Sequence, residues 1–255
     1  MKNQIISNTK NSPMILLAGL LLLAASNAEA VSTFSGSATV NFTIDSIANR
    51  DGSASLDGLS VFASFVLDDS QTFNDLALNG IGSATAMPLT PESTELLSNG
   101  GRFSKTFQVD GVVSNGYGAV NYFALFDLLF INESGFDYDI GLSIDYSLSA
   151  NAEGQTAETT VSIAYEHVDG DFFGNDYSNA WADLNGGVNQ QLIEGKKSFS
   201  FALLAGEVEI VILDANIHGY AEATTVPLPA ALWLFASAVM ALPVLRKQSL
   251  NSKRV

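Results

Sequence analysis

The chain has 255 residues and no cysteine, with 27 acidic against 11 basic side chains and a formal net charge of −16 at pH 7. An acidic surface of this kind repels phosphate backbones, which excludes nucleic acid as a partner. The lack of cysteine removes both a disulfide frame and a thiol nucleophile, so the fold must rest on its core or on ions.

At the N-terminus, Lys2 and Lys10 precede an apolar run from Met14 to Ala25. Ala28-Glu29-Ala30 then has the small-x-small form that a signal peptidase cuts. The pattern predicts a signal peptide over residues 1–30, cut between Ala30 and Val31. The competing reading is a retained N-terminal anchor. All but one of the 27 acidic residues lie in the span 31–225, beside only Arg50, Arg102, Lys105, Lys196 and Lys197.

Period-two alternation dominates this span. From Phe34 to Ile44 apolar or small residues at even positions alternate with polar ones, as in a strand with one buried face. Asn49-Arg50-Asp51-Gly52 signals a turn, and Val61, Ala63, Phe65 and Leu67 make a second strand. Residues 71–101 lack a period and contain Pro88 and Pro91. They predict a long loop with a short helix or edge strand. Phe103, Phe107 and Val109 form a further strand, with Asp110-Gly111 as its turn.

Tyr122 to Ile131 is apolar except for Asp127. Periodicity allows a doubly buried strand or a short buried helix there, and the flanking Gly118 and Ser134-Gly135 favour the strand. Tyr138 to Leu148 alternates most clearly. Val161, Ile163 and Tyr165 follow beyond a turn at Asn151–Gln155, which predicts a hairpin.

Residues 169–191 then read as a polar, glycine-punctuated loop. Asp169, Asp171, Asn175 and Asp176 are its dense oxygen donors, a candidate calcium set because calcium takes six to eight oxygens. The spacing is not that of an EF-hand, and the same residues equally make side-chain turns. Tyr177 and Trp181 in this loop are candidates for stacking a sugar ring, or for capping the end of the core. The last strands run through Phe199–Leu203 and Val208–Ile212 and on toward Tyr220.

Catalysis finds little support. His167 and His218 are the only histidines, and no pair of carboxylates stands out among so many. The expectation is a protein that is not an enzyme.

At the C-terminus, Val226-Pro227-Leu228-Pro229-Ala230 leads into a segment free of charge as far as Leu245. Eighteen such residues make roughly 27 Å of helix, close to the thickness of a hydrocarbon core. Arg246 and Lys247 follow at once, and Lys253 and Arg254 lie near the end. Under the positive-inside rule this basic flank stays cytoplasmic and everything before Val226 lies outside. The expectation is a transmembrane helix at about 228–245.

The proline signature, helix and basic tail together resemble a PEP-CTERM sorting signal of the VPLPA kind, with Leu228 at the position of the name-giving glutamate. The resemblance covers residues 226–247. It implies recognition by an exosortase, a membrane-embedded transpeptidase of Gram-negative bacteria, with cleavage near the signature and transfer to a surface anchor. The whole sequence therefore predicts an exported all-β protein: one antiparallel β-sandwich or jelly roll over 31–225 and a sorting signal over 226–255. The resemblance implies a role at the cell surface or in a biofilm and exopolysaccharide matrix. The alternative is a lectin-like module, calcium-dependent or not, using the 169–185 loop.

Overall fold

The computed structural model describes residues 28–67, 75–88, 93–168 and 172–226. The chain divides into two compact units. One comprises Met1–Glu29 with Thr225–Val255, and its described part is a two-stranded antiparallel pair of β1 (Ala28–Glu29) and β12 (Thr225–Val226). The other is Ala30–Thr224. It contains β2 (Ser32–Asn49), β3 (Leu59–Leu67), β4 (Asp75–Pro88), β5 (Ser93–Leu97), β6 (Arg102–Asn132), β7 (Tyr138–Glu153), β8 (Thr156–His167), β9 (Phe173–Asp183), β10 (Gln190–Leu203) and β11 (Val208–Ala223).

These strands make one all-β unit, a nearly closed antiparallel sheet of ten strands. Its main path runs β10-β7-β2-β6-β11-β8-β9. At one corner the two end strands approach each other: Ser178 Oγ donates to the Gln191 carbonyl of β10 at 2.8 Å, and Trp181 N–H donates to the carbonyl of Val188, in the loop before β10, at 2.8 Å. Among the described residues there is no helix long and apolar enough to cross a membrane. The expected helix at 228–245 lies outside the described residues.

The spine is β6, which spans 31 residues. Along one edge its first part pairs with β2 and its second part with β11. Along the other edge β4 and then β3 lie end to end. Phe107 and Phe126 both belong to β6, and in a straight strand they would be about 63 Å apart at about 3.3 Å per residue. Their ring centroids are 6.3 Å apart. The strand therefore folds back on itself and faces its own first half across the core.

The bend lies at Ser114–Gly116. The register slips there, so Ile81 pairs Asn115 while Gly82 pairs Val113, leaving Ser114 as an extra residue. Such a bulge bends a strand and increases its twist. Gly80 and Gly116 pair beside it with φ of 112° and 97°. A Cβ on either would lie 1.9 Å from a backbone oxygen of the opposite strand. Only glycine combines this left-handed conformation with so close an approach.

Inside the fold, the aromatics that the alternation predicts to be buried converge on Phe126. Phe42, Phe65 and Phe107 all lie within 6.3 Å of it, centroid to centroid. Tyr122–Ile131 is a strand, with even positions fully inside and odd positions half-buried on the outer face.

Four sequence expectations need correction. Residues 75–88 and 93–97 are strands; β4 lacks a period because it pairs along an edge with Leu76, Leu78 and Ile81 all exposed. Asp110-Gly111 is not a turn but continues β6, with Gly111 giving room to the Phe34 ring. β7 and β8 are consecutive yet do not pair. β7 lies between β2 and β10, and β8 between β11 and β9, so Gly154-Gln155 carries the chain from one face of the core to the other. The predicted polar loop contains β9.

Candidate functional site

β9 inverts the usual pattern. Its inward residues are Gly174, Asp176, Ser178, Ala180 and Ala182, small or polar. Its outward residues include Phe173, Tyr177 and Trp181, which are 85%, 66% and 43% exposed. The inward side is small because large rings from elsewhere fill the space: the Tyr165 hydroxyl lies 2.3 Å from where a Cβ on Gly174 would sit. Inverted hydrophobicity is also why the segment looks like a loop in the sequence.

This geometry separates the candidate calcium donors. Asn175 and Asp176 are neighbours on a strand, so they point to opposite faces. Asn175 is exposed on the outer face, whereas Asp176 turns inward and accepts a hydrogen bond from the Tyr146 hydroxyl of β7. Asp169 and Asp171 lie outside the described residues. Among the described residues, no group of three or more His, Asp or Glu is arranged to hold a metal ion. Burial, and then the Asp176 carboxylate, push the Tyr146 phenol well above its ordinary range, so it stays a donor at neutral pH.

The candidate sugar-stacking residues, in contrast, do share a face. Tyr177 and Trp181 both point outward from β9, about 13 Å apart along the strand. In the register Tyr177 lies opposite Ser162 of β8, and Ser162 opposite Asn216 of β11. One step along, Asn175 lies opposite Ala164, and Ala164 opposite Asp214. Ser162 and Ala164 are short and form a floor between larger neighbours. The result is an open hollow of about 320 Å³ walled by Asn175, Tyr177, Asp214 and Asn216. Farther along the same face, Trp181 lies opposite Glu158, and Glu158 opposite Tyr220. Tyr220 stacks on Tyr117 at 6.5 Å and donates to Glu222.

The electrostatics of this face are one-sided. The outward residues of β8, β9 and β11 include Glu158, Glu166, Asp183, Asp214 and Glu222, and no lysine or arginine. His218 lies 3.4 Å from Glu158. Partial burial, followed by the nearby Glu166 and Asp127 carboxylates, pushes the Asp214 carboxyl above its ordinary range. Asp127 is raised as well, mainly by burial, with the Ser64 hydroxyl opposing the shift. These groups share a low-dielectric surface without a cation among them.

Of the other residues singled out in the sequence, Ala28 lies in β1, Val226 in β12, and Ala30 at the first position of the larger unit. Pro227, Leu228, Pro229, Ala230, Arg246 and Lys247 lie outside the described residues. The histidines occupy opposite faces. His167 is buried, 3.0 Å from Glu209 and stacked on Phe172, while His218 faces outward. Ser162, Asp214 and Asn216 are absent from the sequence reading of the site. The available signal is the alternation of β11, which places Asp214, Asn216 and His218 on one wet face. Comparison with protein-family models, with curated proteins and with solved structures returned no match to this chain.

Proposed function

We propose that this chain is an exported, non-enzymatic protein of the cell surface or extracellular matrix of a Gram-negative bacterium, sorted by an exosortase-like transpeptidase. What supports this reading is that the two candidate processing sites in the sequence flank the compact unit Ala30–Thr224. The small-x-small site ends at Ala30, and the Val226–Ala230 signature begins just past Thr224. Cleavage at both places would release the sheet without cutting any of its ten strands. The finer architecture is a two-layer sandwich, with β10, β7, β2 and the first half of β6 facing β9, β8, β11 and the second half. Signal peptidase is the implied partner at one end, and exopolysaccharide the implied surrounding at the surface.

Mass analysis of the C-terminus of surface-extracted protein tests the sorting step. The expected product ends near the signature. A product ending at Val255 refutes it.

A further inference from the structure

We infer that the groove along β8 binds an amine-bearing polysaccharide, with one amino-sugar ring stacked on Tyr177 and its ammonium group against Asp214. Three observations converge on this. The first is the row of rings. Tyr177 and Trp181 stand exposed on one strand about 13 Å apart, and Tyr220 lies about 10 Å across the sheet from Trp181. That span suits successive rings of a polymer; a single sugar reaches only one of these side chains. An aromatic face meeting the apolar C–H face of a pyranose buries area at little entropic cost, because a tyrosine or tryptophan has few rotamers to freeze.

The second observation is the hollow beside Tyr177. Its volume, about 320 Å³, lies at the small end of ligand sites, and it is lined by amide and hydroxyl groups at Asn175, Asn216 and Ser162. These present both donors and acceptors, which is what the hydroxyls of a sugar require.

The third is charge. The outer face of β8, β9 and β11 carries Glu158, Glu166, Asp183, Asp214 and Glu222 and no lysine or arginine. Phosphorylated glycans and polyuronates are repelled by such a surface. An ammonium at Asp214 relieves the repulsion among Asp214, Asp127 and Glu166 and forms a charge-assisted hydrogen bond. A basic peptide offers the same charge but has no pyranose face to lay on the rings. The inference does not depend on how the chain is exported, so failure of the sorting experiment leaves it standing, and the reverse.

The test is isothermal titration of the full chain in mild detergent, at a pH where the sugar amine is protonated and the carboxyls are ionised. The probes are a glucosamine hexamer, its fully N-acetylated counterpart, cellohexaose and hexalysine. The glucosamine hexamer is expected to bind, and the other three at least about tenfold more weakly, the margin of one charge-assisted hydrogen bond. Asp214→Asn is expected to weaken the glucosamine hexamer about tenfold. Tyr177→Ala and Trp181→Ala are each expected to weaken it about five- to tenfold and to leave hexalysine unaffected. The thermal midpoint of each variant is measured alongside, since all three side chains lie on the outer face. No binding of the glucosamine hexamer overturns the inference. So does equal binding of hexalysine or of the acetylated hexamer, or an unchanged affinity in a well-folded Tyr177→Ala, Trp181→Ala double variant.

Discussion

Phe34 joins the two halves of the fold, and a double-mutant cycle can measure how. The side chain is 2% exposed. Its ring carbons lie 2.1 Å from where a Cβ on Gly111 would sit and 2.3 Å from one on Gly219. The ring therefore rests on bare backbone of β6 and of β11. Gly219 is not in the left-handed region, so an alanine there is opposed by space and not by backbone strain. With Phe34 present, the added methyl overpacks the site at a cost of about 1–3 kcal/mol. Phe34→Ala by itself costs about 4 kcal/mol, through lost burial and the cavity left behind. In the double variant the methyl enters that cavity and its penalty disappears, while replacing glycine stabilises slightly by restricting the unfolded chain. The double variant should thus be more stable than the sum of the singles by about 2 kcal/mol, or about 4–8 °C in melting midpoint for a unit of this size. Urea unfolding followed by tryptophan fluorescence reads the cycle, provided the slope with denaturant stays constant. Additivity within about 0.5 kcal/mol would refute the reasoning, because residues that do not touch are additive to that level.

Two pH dependences follow from groups shifted by burial. The folded state holds the proton of Asp214 more tightly than the unfolded chain does. Its contribution to stability is therefore fully present below the ordinary carboxyl range and is lost as pH rises through the elevated folded value. Asp214→Asn is expected to be as stable as the wild type or more so at neutral pH, with the difference closing in mild acid; a variant less stable at neutral pH contradicts this. Tyr122 is pushed up to about 12 by burial, against an ordinary value of 10.0. Stability tied to its neutral form is present below 10.0 and is lost as pH rises toward 12. Absorbance titration of the phenolate should show one fewer late-titrating tyrosine in Tyr122→Phe, and a variant with the same titration curve as wild type argues against the assignment.

Local pattern carried a large part of this fold. Phe42, Phe65, Phe107, Phe126, Ile140 and Leu142 are each legible as inward-facing because a strand alternates its side chains with period two. The turn at Asn49–Gly52 is legible because glycine is the residue that takes a positive φ without strain, as Gly52 does. Strand partners are not local, and there the sequence is silent. Nothing between Tyr138 and Tyr165 distinguishes a paired hairpin from two strands on opposite sides of a core. That choice depends on β2, β10, β9 and β11, which satisfy the four outer edges. Likewise Asp110-Gly111 looks like a turn until Phe34, from another strand, fills the space above the glycine. The site follows the same rule. Tyr177 and Trp181 are legible as aromatics in a polar stretch, but that they face outward and do not cap the core is decided by strand β9. Asn175 and Asp176 are adjacent in the chain, which makes them one donor set in the sequence, and strand geometry sends them to opposite faces. Asp214 and Asn216 come near Tyr177 only because β8 lies between β9 and β11, since register across three strands is decided by packing, not by any one segment.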